Sequence, residues 1–311
     1  MPQMHPQILK VLEAMAALNQ PSIEAMTPSA ARAQMEANAK ARKAEPLPVA
    51  RVEERMIPGL GGQIRARLYW PNAQGPVPAI AYYHGGGHVI GSLDTHDLVA
   101  RNLCAGVEAV VCSVDYRVGP EHKFPAAVED SFAALQWLAA NAASLGADPS
   151  RLGVHGDSAG GNLAAVVSLM ARDAGGPALR LQSLVYPISD YAMTAASYET
   201  FAEGYMLTRR AMEWFRGHYL RDTADADDWR ASPIKAATLK GVAPAIVINA
   251  ECDVLHDDGL NYAAALRNAG VPIEYREYEG MIHAFFSMVP AVDDAMNAQR
   301  AVWAAFRKAF A

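Results

Sequence analysis

Apolar and polar positions follow two periods along this chain. Short apolar runs, dense in Val, Ile, Leu, Ala and Tyr, recur from Val52 onward and read as strands. They are Val52–Ile57, Gln63–Trp70, Ala79–Tyr83, Ala109–Val114, Leu152–His155, Leu181–Tyr186, Ala245–Ala250 and Ile273–Tyr278. The first two flank the turn Gly59-Leu60-Gly61-Gly62 and are expected to pair antiparallel, because so short a connection cannot cross over. Helical periodicity separates the later runs, as in Ala126–Ala143. The pattern predicts an α/β protein with an eight-stranded, mostly parallel sheet and helices on both faces. Two stretches break the alternation. Residues 1–45 are helical in pattern, with Ile8, Leu12, Met15 and Leu18 on one face, and with Thr27-Pro28 as the cap and first turn of a second helix through Arg42. Residues 188–231 are crowded with Tyr, Met, Phe and Trp, too long for a loop and too apolar for disorder.

The chemistry enters at the strand ends. The run Leu152–Val154 leads into Gly156-Asp157-Ser158-Ala159-Gly160 and then a helical pattern from Asn162. A G-x-S-x-G between strand and helix is the pattern of a nucleophile elbow, a tight turn that lifts a serine hydroxyl above the sheet. The strand Ala79–Tyr83 leads into His84-Gly85-Gly86-Gly87, bare backbone suited to donating N–H groups to an oxyanion. With the elbow, these imply an oxyanion hole from Gly86, Gly87 and Ala159. An acid and then a histidine should come next in chain order. Asp253 stands after one strand and His283 after the next, which makes Ser158, Asp253 and His283 the expected triad. Asp257 and Asp258 rival Asp253, but both sit where a helix starts and are expected to cap it. Arg117 and Glu121 are expected to pair. The His84 side chain is expected to shape the glycine loop rather than catalyse.

These motifs, with Asp115-Tyr116-Arg117-Val118-Gly119-Pro120-Glu121, Phe124-Pro125-Ala126-Ala127, Asp253-Val254-Leu255-His256-Asp257-Asp258-Gly259 and His283-Ala284-Phe285, stand in one order over about residues 45–311. In this the chain resembles the hormone-sensitive-lipase-like carboxylesterases, bacterial esterase family IV. It departs from them at Gly119, where the family has Ala, at Val254 (Pro), at Ala284 (Gly) and at His88, which is often aromatic. The resemblance implies an α/β-hydrolase fold, divided into core segments 46–187 and 232–311 and a helical cap from 1–45 and 188–231. It places His88 on the wall of the substrate pocket, and the inner face of the cap, with Tyr205 and Leu207, against the substrate. It implies hydrolysis of small carboxylic esters, short to medium in chain length, without a cofactor. Two other readings remain open: an amidase, formamidase or peptidase with the same triad, and a non-catalytic small-molecule receptor, against which His283 argues. Family members often form dimers, so a homodimer is one expectation.

Composition narrows the rest. At 311 residues with 51% apolar content the chain can build a large core. Its 27 basic and 33 acidic residues leave a net charge of −6 with no basic cluster, which argues against nucleic acid. Cys104, Cys112 and Cys252 show neither disulfide nor zinc spacing and read as buried thiols; no metal site is expected. With no signal-peptide pattern and no long apolar span, a cytoplasmic location without membrane insertion is the default expectation.

Overall fold

The computed structural model describes residues 2–42 and 44–311. The first helices are α1 (Pro6–Ala17) and α2 (Pro28–Ala41). Then β1 (Arg51–Gly59), β2 (Gly62–Trp70), β3 (Val77–Tyr83), α3 (Asp97–Val107), β4 (Val110–Asp115), α4 (Ala126–Asn141), β5 (Ala147–Asp157), α5 (Ala159–Asp173) and β6 (Leu179–Val185) stand in order. After β6 come α6 (Ser197–Thr200), α7 (Arg209–Tyr219), β7 (Ala245–Cys252), α8 (His256–Asn268), β8 (Ile273–Ile282) and α9 (Asp293–Phe310). All eight expected strands form, in one sheet of order β1-β2-β4-β3-β5-β6-β7-β8. β2 is antiparallel to both its neighbours, and every other pairing is parallel, so β2 alone runs against the rest.

The sheet carries helices on both faces. Side chains alternate along β5, so Gly153 and Gly156 face opposite ways. A Cβ at Gly153 would touch Phe306 of α9, while one at Gly156 would strike the backbone at Gly160 in α5. α9 packs with α3 over one face, and α5 packs with α4 over the other. β3 is buried along its whole length, which is why it reads as a continuous apolar run rather than an alternation.

The register sets the site. Tyr83 pairs with Gly156 and Cys252 with Ile282, so the loops after β3, β5, β7 and β8 leave one sheet edge at matching heights. Ligands bind at that carboxyl edge in open α/β sheets.

Two helical segments sit outside the layers. Thr27 Oγ1 accepts the Ala30 N–H and Pro28 opens α2, as the Thr-Pro pair predicts. Arg32 fastens α2 to the body by donating to the Val89 and Gly119 carbonyls and to both carboxylate oxygens of Glu121. α1 differs from expectation. Ile8 is buried, but Leu18 lies beyond the helix end and is 60% exposed, because α1 is anchored at its start, where the His5 N–H donates to the Gly280 carbonyl of β8. The expected segment 1–45 also includes residues 1 and 43, which lie outside the described residues. The stretch from residue 188 to 231 is tied at both ends to α5, where the Asn162 amide donates to the Ile188 and Ala231 carbonyls. No helix among the described residues is long and apolar enough to cross a membrane.

Candidate active site

Ser158 occupies the junction of β5 and α5 with φ 57° and ψ −119°, a strained conformation for a residue with a side chain. The surrounding glycines make the turn physically possible. A Cβ on Gly160 would lie 1.9 Å from the Tyr83 carbonyl oxygen, so β3 and α5 approach this closely only over a bare α-carbon.

Ser158, His283 and Asp253 come together from three separate strand ends. His283 Nε2 lies 3.0 Å from Ser158 Oγ, and His283 Nδ1 lies 2.6 Å from Asp253 Oδ2. Asp253 Oδ1 accepts the Leu255 N–H at 2.9 Å, so both carboxylate oxygens are engaged. Asp253 is buried, whereas Ser158 and His283 line a cavity of about 460 Å³ that opens to solvent beside Met15, Gln20 and Arg42. The Tyr186 ring packs against His283 with centroids 4.6 Å apart.

The glycine loop after β3 borders the same cavity through Gly86 and Gly87. Gly86 has φ 116°, and a Cβ there would lie 2.2 Å from the Ile90 carbonyl oxygen, so this turn admits only glycine. The N–H groups of Gly86, Gly87 and Ala159 donate to no acceptor among the described residues. His84 lies behind the loop, stacked on Tyr116 at 4.4 Å, with Nδ1 2.7 Å from the Gly85 carbonyl; burial pushes its pKa down to about 3. It is a neutral structural group, in keeping with the role expected for it.

Asp157 turns away from the elbow. It accepts from the Tyr82 hydroxyl at 2.9 Å and stands 3.6 Å from His96 Nε2. Burial raises its pKa, but His96, His155 and Tyr82 outweigh that and hold it at about 2.

The remaining lining comes from the two outlying helical segments. α1, α2 and their connection contribute Met15, Ile23, Met26, Ala31, Met35 and Arg42, among others, and the region of α7 contributes Met206, Leu207, Thr208, Met212 and Phe215. Leu207 lies on the cavity wall. His88 and Tyr205 do not. His88 is fully buried and stacks on Tyr219 at 3.9 Å; its φ of 58° turns the side chain behind the loop, into an aromatic cluster with Tyr191. Tyr205 packs edge-on against Phe201 and is absent from the cavity wall, which its neighbours Met206 and Leu207 supply. Sequence reasoning places 1–45 in the cap without naming the lining residues of α2, and it does not single out Tyr186 or Phe215. An aromatic directly after a buried strand is the available signal for Tyr186.

Other expectations change partners. Arg117 binds Asp130, not Glu121: its Nε and Nη2 reach the two oxygens at 2.8 Å each, and its backbone N–H adds a third bond. Asp257 and Asp258 sit in the first turn of α8 but reach across to the outlying segment. Asp257 accepts the Ser197 N–H, and Asp258 Oδ1 accepts the N–H groups of Ser189 and Asp190. The three cysteines are buried and unpaired, with thiol pKa values pushed up by burial to about 12 for Cys104 and Cys112 and about 11 for Cys252.

A second serine–histidine contact joins Ser183 Oγ and His155 Nδ1 at 2.9 Å. Both residues are completely buried between β5 and β6 and neither borders the cavity, so no substrate reaches them.

Known proteins share this organisation. The carboxylic ester hydrolase LipN of Mycobacterium tuberculosis is 45% identical over 76% of this chain and 65% of its own length, just under two thirds. The carboxylesterase NlhH of the same organism is 42% identical over 85% of each chain. Among solved structures, an alpha/beta hydrolase enzyme from the metagenome of Lake Arreo, Spain, superposes with a TM-score of 0.95 at 38% identity, covering 99% of both chains. The sequence profile of the alpha/beta hydrolase fold matches residues 80–287, which run from β3 through the loop carrying His283. The chain belongs to the α/β-hydrolase fold family, in its hormone-sensitive-lipase-like branch.

Proposed function

We propose that this chain hydrolyses carboxylic esters of short to medium chain length through an acyl-enzyme on Ser158. The observation that carries the reading is the continuous Ser158–His283–Asp253 hydrogen-bonded chain opening onto a cavity beside the undonated N–H groups of Gly86, Gly87 and Ala159. The chain is a carboxylesterase, in line with relatives named for ester hydrolysis. His283 Nε2 takes the serine proton as Oγ bonds to the ester carbonyl carbon. Asp253 keeps the other ring nitrogen protonated and stabilises the imidazolium. The three N–H groups receive the oxyanion, where charge develops in the tetrahedral transition state. His283 then gives its proton to the leaving alcohol, and water, activated by the same nitrogen, cleaves the acyl-enzyme.

Residues 1–45 and 188–231 act as the cap of this pocket. Each methylene seated against their apolar side chains favours binding by about 0.8 kcal/mol until the closed wall is reached, which sets a limit on chain length. The test is labelling with a fluorophosphonate, mapped by mass spectrometry, beside turnover of p-nitrophenyl butyrate. The label is expected on Ser158, and Ser158→Ala should lose both label and turnover. A label on another serine, with Ser158→Ala still active, overturns the assignment.

A further inference from the structure

One face of α2 lines the cavity with polar side chains. Gln34, Asn38 and Arg42 recur at every fourth position, which stacks them along one side of the helix. The Asn38 amide is occupied, since it exchanges hydrogen bonds with Gln20 at 2.9 and 3.1 Å. Arg42 differs. Its guanidinium has no hydrogen-bonding or ion-pair partner among the described residues, and it stands at the exposed rim of the cavity whose wall includes Tyr186, the ring that packs on His283. Several other arginines of the chain are matched to carboxylates, as Arg32 with Glu121 and Arg117 with Asp130. The carboxyl end of α2 tolerates a cation there without an acid, because the helix dipole is negative at that end.

Two carboxylates also line the cavity, and neither neutralises Arg42. Asp157 is committed to Tyr82 and His96, and Glu24 forms no ion pair with Arg42. The cavity therefore has an apolar side of methionine, leucine and phenylalanine and a polar side ending in a planar, two-pronged cation. A guanidinium fork matches a carboxylate better than any neutral group.

We propose that Arg42 binds a carboxylate carried by the substrate, so that the preferred substrates are anionic esters such as half-esters of dicarboxylic acids. This rests on the ester-hydrolase reading of the same cavity. The bond cleaved and the proton transfers are those of ordinary ester hydrolysis, and Arg42 positions the substrate without joining the chemistry.

The test compares methyl hydrogen glutarate, adipate and suberate with methyl pentanoate, hexanoate and octanoate, reading the ratio of kcat/KM for each anionic–neutral pair. Arg42→Gln is expected to lower that ratio about tenfold, chiefly through the KM of the anionic ester. Arg42→Glu should lower it further, and Arg42→Lys should restore part of it. Added salt should lower the wild-type ratio by screening the contact. A ratio for a folded Arg42→Gln variant within about twofold of wild type overturns the proposal while leaving the ester-hydrolase reading intact. Turnover of neither series by wild type sinks both.

Discussion

Replacing Asp253 by Asn changes one atom at the site, and the geometry fixes the consequence. The carboxylate has two donors to satisfy, His283 Nδ1–H on Oδ2 at 2.6 Å and the Leu255 N–H on Oδ1 at 2.9 Å. An amide has a single oxygen. If that oxygen serves Leu255, the NH2 group faces His283 and forces Nδ1 to accept, which moves the ring proton to Nε2. Nε2 then points a proton at Ser158 Oγ and can no longer take one. If the oxygen serves His283 instead, the NH2 group is driven against the Leu255 N–H, and two buried donors face each other. The wrong tautomer wins unless that clash is relieved. By analogy with other serine triads the loss is about 10⁴ in kcat, or about 5–6 kcal/mol at about 1.4 kcal/mol per decade. The shape of the site is retained, so stability should change far less than activity. Burst-phase kinetics with p-nitrophenyl butyrate separate acylation from deacylation, and both should slow. Asp257→Asn is the control, because that side chain accepts from Ser197 and neighbours His256 without touching the pocket. An Asp253→Asn enzyme within about tenfold of wild type, or an Asp257→Asn enzyme that is crippled, refutes the reasoning.

Two further outcomes concern buried carboxylates. Burial raises the pKa of Asp258 to about 7, although the Ser189 and Asp190 N–H groups oppose it. A folded-state pKa above the ordinary value means that the protonated form stabilises the fold fully below about pH 4 and that this contribution is lost as pH rises through about 7. The donors converge on Oδ1, which an amide oxygen can replace, so Asp258→Asn should gain on wild type by about 2–4 kcal/mol between pH 5 and pH 8 in urea unfolding. An equal difference at both pH values would exclude this carboxyl as the source. Asp130→Asn should cost about 3 kcal/mol by breaking a buried pair, while Glu121→Gln, which faces solvent, should cost under about 1 kcal/mol. Thermal unfolding of both variants checks this, and equal losses would contradict the observed pairing.

Periodicity makes the sheet legible, because buried parallel strands cannot hide their apolar runs and the glycines of the elbow and loop are fixed by steric contact. The placement of Ser158, Asp253 and His283 comes from their positions just past strand ends. Partners separated by a turn of backbone are harder to read. Arg117 lies four residues from Glu121 but thirteen from Asp130, and the helix α4 that brings Asp130 back is a tertiary fact. His88 is one residue beyond the oxyanion loop, yet a single left-handed φ sends it to the opposite side. Asp257 and Asp258 look like helix caps because sequence shows the helix they begin and conceals the segment that docks on them. Arg42 reads only as the end of a helix, since its lack of a partner among the described residues is a tertiary fact.

The cavity wall holds five thioethers, those of Met15, Met26, Met35, Met206 and Met212. Unbranched and polarisable, they let the wall reshape around different acyl groups. They also give the enzyme an oxidative weak point away from its nucleophile. Peroxide converts each thioether to a polar, chiral sulfoxide, which would leave Ser158 and His283 chemically intact while spoiling the surface that receives the substrate. The three cysteines, buried and held as thiols, offer no comparable target. Oxidative damage to this protein would therefore register first as altered substrate preference, reversible by methionine sulfoxide reduction, before it registered as loss of the catalytic groups.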